Sequence, residues 1–168
     1  PRGAGRQPVS ELLHWRRAPA WHLGAVDGTD RPALLQVWEA AVRATHHFLA
    51  EEDIQFYRRM LAEQYFDLVR LTCLRDERGR VLGFCGTAED RLEMLFVDPA
   101  QHGHGLGEAL LRHAIEHDGV RLVDVNEQNP GALAFYLAQG FEQIGRSALD
   151  GADRPFPLLH LRLRESRL

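Results

Sequence analysis

The segment RLEMLFVDPAQHGHGLGEALLRHAIEH, residues 91–117, joins a strand pattern, a glycine-rich turn and a helix pattern. The apolar opening predicts a strand, and Pro99 stops it because proline has no N–H group for the ladder. Gly103, Gly105 and Gly107 carry no Cβ, so the main chain can approach a ligand closely and adopt φ values that other residues avoid. The free N–H groups that begin the next helix favour an anion such as a pyrophosphate.

A glycine turn alone is equally consistent with a tight strand-to-helix connection, so its surroundings matter. The runs VRLTCLR (69–75) and VLGFCGT (81–87) flank DERGR (76–80) and predict a β-hairpin before the turn. A preceding hairpin argues against the dinucleotide fold, whose GxGxxG turn lies in the first βα unit of a wound parallel sheet. All twenty basic residues are arginine, which excludes a Walker-type phosphate loop because that loop needs a lysine.

The rest of the chain alternates between strand and helix patterns. WHLGAV (21–26) predicts a strand, Asp30 and Pro32 mark a helix start, and a second helix is predicted from Glu52 to Tyr65. After the glycine-turn helix come the strand VRLVDV, a helix closed by Gly140, and a final hairpin made of FEQIGRS and PLLHLRL. The order β-αα-βββ-α-β-α-ββ predicts an α+β fold.

Composition limits the number of domains and the kinds of partner. With 168 residues, 45% of them hydrophobic, we expect one domain over 21–168, preceded by a loosely ordered arm over 1–20. A net charge of −4 gives no nucleic-acid footprint, and no apolar stretch is long enough for a membrane helix, so we expect a cytoplasmic protein with neither partner. Cys73 and Cys85 lie in strand-like segments and are expected to be buried thiols, with a disulfide as the minor alternative.

The segment NEQNPGALAFYLAQGF, residues 126–141, supplies the second decisive pattern. Asn129 stands at the predicted helix start and Tyr136 follows seven residues later. At about 100° per residue, the two side chains project from nearly the same face of the helix. That face could hold an extended ligand beside the glycine turn.

Together these residues resemble the GNAT superfamily of acetyl-coenzyme A-dependent N-acetyltransferases. The likeness covers Trp21 to Leu163 and is strongest from Leu92 to Phe141, through LFVDP, the glycine turn and the pattern Asn-x-x-Ala-x-x-x-Tyr-x-x-x-Gly-Phe. THHFL, NEQN and GRSALDGADRPFPLLHL are similar to a small bacterial branch of that family. The resemblance implies a central mixed, mostly antiparallel sheet of about seven strands flanked by about four helices.

The resemblance also implies acetyl-coenzyme A as acetyl donor and no metal. The family's phosphate turn begins with Arg or Gln, a position that His102 occupies here, so we expect backbone N–H groups to supply most of the affinity. The implied cofactor-binding residues are Leu95, Phe96, Val97, His102, Gly103, His104, Gly105, Leu106, Gly107, Glu108, Asn129, Ala132 and Tyr136.

The expected reaction moves the acetyl group of acetyl-coenzyme A to an amine of a small molecule or protein by direct attack. It needs a neutral amine, stabilisation of negative charge on the thioester oxygen, and a proton for the leaving thiolate. Tyr136 resembles the family's general acid; the alternative is a tyrosine packed in the core. Glu93, the one carboxylate inside the strand before the glycine turn, is predicted to take the amine proton, directly or through water; the alternative is a surface carboxylate.

The acceptor side is less well marked in the sequence. In the resembled family the first two helices wall this side, which nominates Trp38, Thr45, His46, His47 and Phe48 as substrate-binding residues. Ordinary core roles for the aromatic residues and surface roles for the histidines remain open. We also expect an exposed edge on the final strand, which would allow a homodimer.

Two rival functions have their own motifs. His113, Glu116 and His117 spell HxxEH, a zinc-ligand spacing that would fit a zinc-dependent hydrolase. The context opposes it, because these residues lie at the margin of an apolar helix stripe and no third ligand is recognisable. A coenzyme A-binding module without catalysis would keep the glycine turn and Asn129 but show no turnover.

Overall fold

The computed structural model describes residues 20–165, which form one sheet and four α-helices. The element order is the predicted one, so the predicted α+β layout is confirmed. Residues 1–19, the bulk of the predicted arm, lie outside the described residues. The elements are β1 Trp21–Ala25, α1 Arg31–Thr45, α2 Glu51–Glu63, β2 Arg70–Asp76, β3 Val81–Ala88, β4 Arg91–Val97, α3 Leu106–Asp118, β5 Leu122–Asn126, α4 Pro130–Ala138, β6 Phe141–Ser147 and β7 Leu158–Leu163.

The seven strands form a single mixed sheet in the order β1-β2-β3-β4-β5-β7-β6. Every neighbouring pair is antiparallel except β4 and β5, which run parallel. These two strands pair only where they begin, at Arg91 with Leu122 and at Leu92 with Val123. Beyond that point they separate, so a wedge-shaped gap opens in the middle of the sheet.

The final strand does not lie at an edge of the sheet, contrary to the sequence-based expectation. β7 pairs with β5 on one side and β6 on the other, so both of its backbone edges are used in ladders. The outer strands are β1 and β6. The expectation was wrong because the last hairpin inserts its second strand into the sheet rather than adding it outside.

Two hydrophobic cores cover opposite faces of the sheet. One contains α3 and α4, with Leu110, Leu111 and Phe141 at most 1% exposed. The other contains α1 and α2, with Leu34 and Phe84 fully buried, against β2, β3 and β4. The strands of the C-terminal half alternate buried and partly exposed residues, so the face of β5 and β7 turned away from α3 and α4 carries polar side chains.

Helix ends follow the local sequence closely. Gly105 precedes α3 with φ 75° and Gly119 follows it with φ 70°, both in the left-handed region that glycine tolerates best. The second helix begins at Glu51 and ends at Glu63, and a 3₁₀ turn over Tyr65–Leu68 begins at the predicted last residue of that helix.

Two further predictions concern the cysteines and the membrane. Cys73 and Cys85 are buried free thiols rather than disulfide partners. Within residues 20–165, none of the helices has the length and apolar character needed to span a bilayer.

Candidate active site

The glycine turn between β4 and α3 presents a row of unused backbone donors. Gln101 donates its N–H to the Asp98 carbonyl at 2.8 Å and His102 donates to the Pro99 carbonyl at 3.2 Å, which closes a short 3₁₀ turn. The next six N–H groups, of residues 103–108, have no acceptor anywhere in residues 20–165. Donors in such a row, at the positive end of a 13-residue helix, suit a pyrophosphate.

Backbone conformation, rather than lack of space, requires glycine in this turn. Gly103 has φ 83° and Gly105 has φ 75°, yet a Cβ added at either would meet no atom within 4 Å. At Gly107 a Cβ would lie 3.7 Å from Phe135 Cζ and 4.0 Å from Val97 Cγ2. The helix start is therefore in contact with the end of β4 and with α4. His102, at the turn position that departs from the family pattern, is exposed.

The second half of β4 turns part of its backbone toward the gap in the sheet. Asp98 donates its N–H to the Leu82 carbonyl of β3 at 2.8 Å. Because ladder bonds alternate along an antiparallel pair, the main-chain groups of Leu95 and Val97 point away from β3. They face the gap beyond the last pairing with β5 and are free to bind a ligand there.

Glu93 is the extra residue of a β-bulge in β4. Gly86 pairs with Met94 and Thr87 with Leu92, which leaves Glu93 without a partner on β3. Its side chain is 41% exposed, and its Oε1 lies 3.9 Å from Arg91 Nε. Burial raises the pKa of the Glu93 carboxyl, Arg91 lowers it and Asp124 raises it, with a net rise. The bulge thus places the Glu93 carboxylate in the cavity wall, where it is more basic than an ordinary glutamate.

Helix α4 positions Asn129 and Tyr136 on the opposite side of the gap. Asn129 caps the helix, and its Oδ1 accepts a hydrogen bond from Ala132 N–H at 3.2 Å. Tyr136 is 7% exposed and packs edge-on against Phe141, with ring centroids 5.6 Å apart. Its hydroxyl has no hydrogen-bond partner within residues 20–165, and burial raises the pKa of Tyr136 above its usual range. The phenol is therefore protonated at neutral pH and free to donate.

A cavity of about 680 Å³ runs from this gap to α1, α2 and the β6–β7 loop. Its wall carries three carboxylates, Glu93, Asp124 and Asp150, and no arginine is among the lining residues that the structure describes. The predicted residues in the wall are Trp38, His46, Glu93, Leu95, Phe96, Asn129, Ala132 and Tyr136. Val97 is the last residue of β4, and the glycine turn follows after it.

Of the five residues predicted for the acceptor side, the structure brings two to the cavity. Trp38 and His46 line it, while Thr45, His47 and Phe48 are not among its lining residues. The prediction assigned all five residues to the wall formed by the first two helices. Helix α1 ends at Thr45, so His46, His47 and Phe48 lie in the connection to α2. Phe48 instead packs its ring against those of His46 and Phe156, with centroids 5.3 Å and 5.7 Å away.

The surroundings of His46 define its protonation. The Thr45 hydroxyl donates its one proton to the Ala41 carbonyl at 2.8 Å, so it accepts from His46 Nδ1 at 2.7 Å. Burial, and to a smaller extent the neighbouring His47, together lower the pKa of His46 to about 4. At neutral pH the ring is therefore uncharged, with its proton on Nδ1 and Nε2 free as an acceptor.

Sequence reasoning missed the contacts between α2 and the β6–β7 loop, residues 148–157, which we call the strap. The Tyr57 hydroxyl donates to the Asp150 carboxylate, and Arg154 pairs with Asp53 at 2.8 Å. The Arg154 guanidinium also lies 3.7 Å from the centre of the Phe56 ring. The partners are separated by about a hundred residues, so no local pattern could reveal them. Tyr57, Asp150 and Phe156 all line the cavity.

The HxxEH residues do not assemble a metal site in the described part of the chain. The His113 and His117 rings lie 4.7 Å apart on α3. Across residues 20–165 no group of three or more His, Cys, Asp or Glu side chains is arranged to hold a metal ion.

The mixed sheet is split between β4 and β5, and the glycine turn follows β4. This arrangement is typical of acyl-coenzyme A-dependent transferases. Comparison with known proteins gives the same class. Residues 69–143 match the family described as Acetyltransferase (GNAT) domain. The chain is 37% identical over 135 residues to the peptidyl-lysine N-acetyltransferase YjaB of Escherichia coli, covering 76% of this chain and 86% of that protein. The chain belongs to the GNAT family of acetyltransferases.

Solved structures show the same architecture. The solution structure of apo-form YjaB from Escherichia coli matches with a TM-score of 0.78 at 30% identity, covering 88% of this chain and 99% of that one. The PaiA N-acetyltransferase from Thermoplasma acidophilum, crystallised in complex with coenzyme A, matches with a TM-score of 0.68 at 17% identity, covering 86% and 99%. Membership of the GNAT family, together with the 37% identity to an N-acetyltransferase, makes this chain an N-acetyltransferase that uses acetyl-coenzyme A and acts on amine acceptors.

Proposed function

We propose that this enzyme acetylates the ε-amine of a lysine in a peptide or protein by direct attack on acetyl-coenzyme A. The observation that carries the proposal is the acceptor cavity, whose wall holds three carboxylates, a neutral histidine and several aromatic rings but no arginine among the described residues. Such a wall attracts a cationic ammonium and accommodates an aliphatic arm. The similarity to YjaB, a peptidyl-lysine N-acetyltransferase, supports the same acceptor class.

The donor is assigned to the other end of the cavity. The six free N–H groups of residues 103–108 would hold the pyrophosphate, and the main chain of Leu95 and Val97 would pair with the pantetheine arm. Asn129 keeps its side-chain NH₂ group free, because only Oδ1 is used in capping α4. When bound, acetyl-coenzyme A supplies an activated acetyl thioester.

Three groups of this chain are assigned to the transfer. Glu93 takes a proton from the lysine ammonium, directly or through water, because its pKa is raised and the bulge turns it to the cavity. The N–H of Leu95 stabilises negative charge on the thioester oxygen as the amine adds to the carbonyl carbon. The C–N bond forms as the C–S bond breaks, and the Tyr136 hydroxyl gives its proton to the departing thiolate. The second proton that the amine nitrogen loses returns Tyr136 to its neutral form through water.

An acceptor panel tests the substrate class. We expect acetylation of an N-terminally blocked peptide that contains lysine, and no product from the same peptide with arginine in place of lysine. A free-amine peptide without lysine covers the α-amine alternative. Because the chain contains no lysine, any acetyl-lysine detected by mass spectrometry belongs to the substrate. Transfer to the α-amine alone would contradict the proposal.

Binding of the donor can be tested without an acceptor. Acetyl-coenzyme A at 100 times its dissociation constant should raise the free energy of unfolding by about 2.7 kcal/mol. For a chain of this size the melting temperature should then rise by several degrees. An unchanged melting temperature at millimolar acetyl-coenzyme A would contradict the donor assignment.

A homodimer and a cytoplasmic location remain predictions. The described sheet has two outer strands, β1 and β6, and a second copy could pair with the free edge of β6, where Ile144 is 49% exposed, or with that of β1. Light scattering at micromolar concentration, and fractionation of cells that produce the protein, would test the two.

A further inference from the structure

A chain of polar contacts crosses the open face of the sheet from β6 to β4. Ser147 Oγ lies 2.6 Å from His160 Nε2, and His160 Nδ1 lies 2.6 Å from Asp124 Oδ1. Asp124 Oδ2 lies 3.1 Å from Arg91 Nη1, and Arg91 Nε lies 3.9 Å from Glu93 Oε1. We call residues 147, 160, 124 and 91 the polar chain; it begins at the outer strand and ends beside Glu93.

Chemistry fixes the direction of the hydrogen bonds in the polar chain. An ionised carboxylate has no proton to donate, so His160 Nδ1 carries the proton that reaches Asp124. In the neutral ring Nε2 then accepts the proton of the Ser147 hydroxyl. The order resembles a nucleophilic triad, but Ser147 is not among the residues that line either cavity, whereas Asp124 lines both the main cavity and a neighbouring one of about 340 Å³. The part of the polar chain that lies beside the proposed base is therefore its other end, formed by Asp124 and Arg91.

Arg91 lies between two carboxylates and forms its shorter ion pair with Asp124. Its Nη1 lies 3.1 Å from Asp124 Oδ2, whereas its Nε lies 3.9 Å from Glu93 Oε1. The His160 ring packs close to the main chain of β6, since a Cβ on Gly145 would lie 3.4 Å from His160 Cδ2.

We propose that Asp124, His160 and Ser147 are positioning residues that hold Arg91 away from Glu93, so that the Glu93 carboxylate stays free to take the acceptor's proton. The inference rests on the proposed role of Glu93 as the base. A guanidinium bonded to Glu93 would occupy the oxygens that the ammonium needs and would weaken the base.

The charges around Glu93 all bear on this role. Arg91 faces it from its own strand and Asp124 faces it from β5, with opposite effects on the pKa of Glu93. Removing the charge of Asp124 would take away a group that raises this pKa and would release Arg91, which lowers it. Both changes lower the pKa of Glu93. Elsewhere in the cavity wall, the titratable groups are His46, Tyr57, Tyr65, Tyr136 and Asp150.

The direct test is a ¹³C NMR titration of the glutamate side-chain carboxyls, with the Glu93 signal assigned from Glu93→Gln. In Asp124→Asn the Glu93 midpoint should move to lower pH, equivalent to a roughly tenfold larger proton dissociation constant. In Arg91→Gln it should move to higher pH, which gives a second reading if the first variant does not fold. Glu142→Gln, on β6, is the surface control. An unmoved midpoint in the folded Asp124 or Arg91 variant would overturn the inference.

A matched pair at His160 isolates the contribution of the histidine. Asn can place an amide N–H where Nδ1 donates to Asp124, whereas Gln reaches the Nε2 position and leaves Asp124 without its donor. His160→Asn should therefore keep the wild-type midpoint of Glu93, and His160→Gln should shift it in the direction of Asp124→Asn by a smaller amount. Equal midpoints in both variants would contradict a positioning role for His160.

Turnover separates this inference from the proposed function. The lysine peptide is assayed across pH, where Asp124→Asn should move the acid limb of kcat to lower pH and reduce its plateau. If Glu93→Gln retained full kcat, the role of Glu93 as base would be wrong although the NMR shifts stood. If Glu93→Gln lost kcat while the NMR midpoints never moved, the base would stand and the positioning role would fail.

Discussion

The donor side and the acceptor side of the cavity are built in different ways. The proposed donor side uses main-chain N–H groups of one contiguous segment, residues 95–108, whose glycines set the backbone conformation. The acceptor side uses side chains from α1, α2 and the β6–β7 loop, tied together by contacts such as Arg154 with Asp53. A site made of main chain allows little change in sequence pattern, whereas a site made of side chains can change its substrate without changing the fold.

Tyr136 lies where the two sides meet, and its loss should give the largest effect. Tyr136→Phe removes the hydroxyl that is assigned to protonate the thiolate but keeps the ring packed on Phe141. We expect kcat to fall roughly 100-fold or more while the dissociation constant of acetyl-coenzyme A stays within about twofold. Steady-state kinetics and calorimetry measure the two. An unchanged kcat would remove Tyr136 from the acid role.

A change confined to the donor side should weaken the binding of acetyl-coenzyme A rather than slow the chemical step. Gly105→Val places a β-branched residue at φ 75° and turns the following N–H groups away from a common point. We expect affinity for acetyl-coenzyme A to fall roughly 100-fold, about 2.7 kcal/mol. Gly79→Val, at φ 78° in the β2–β3 turn, imposes comparable strain far from the cavity and is the matched control. Equal losses of acetyl-coenzyme A affinity in both variants would show that backbone strain, rather than the loss of N–H donors in the glycine turn, causes the effect.

On the acceptor side, His46 should make the fold sensitive to acid. The pKa of His46 is lowered to about 4, so the unfolded chain binds a proton first as pH falls below 6.5. The stabilisation is complete above pH 6.5 and is lost as the pH approaches 4. Between pH 7 and pH 5 the wild-type free energy of unfolding should fall by about 2 kcal/mol more than that of His46→Gln. Urea unfolding at both pH values measures this, with exposed His22→Gln as control; equal losses in wild type and His46→Gln would contradict a buried neutral ring.

The smallest expected effect concerns the strap. Arg154→Ala removes an ion pair with Asp53 and the stacking on Phe56, so the β6–β7 loop should leave α2. We expect KM for the lysine peptide to rise several-fold, about 1 kcal/mol, with no change in acetyl-coenzyme A affinity. Arg164→Ala, whose partner Glu142 lies on β6, serves as the control. If Arg154→Ala weakened acetyl-coenzyme A binding as much as it raised KM for the peptide, the donor and acceptor sides would not be separate.

The same division explains how much could be predicted from the sequence. The element order, the glycine turn, the cap at Asn129 and the strand that carries Glu93 all depend on local patterns, and the structure has each of these where predicted. The bulge at Glu93, the placement of β7 inside the sheet and the contact between Tyr57 and Asp150 depend on pairings between distant segments. Hydrophobic periodicity carries no information about such pairings. The acceptor nominations at Thr45, His47 and Phe48 lie at or beyond the last residue of α1, and none of the three lines the cavity.

The most direct measurement is a ¹H–¹⁵N NMR titration of the protein with coenzyme A, read at individual amides. The six N–H groups of residues 103–108 and those of Leu95 and Val97 should show the largest shift changes, because they lack partners or face the gap in the sheet. Amides of α1 and α2 should change little until a lysine peptide is added. If coenzyme A instead left residues 103–108 unshifted and perturbed the helices around His46 and Tyr57, the donor would bind elsewhere and the division of the cavity would be wrong.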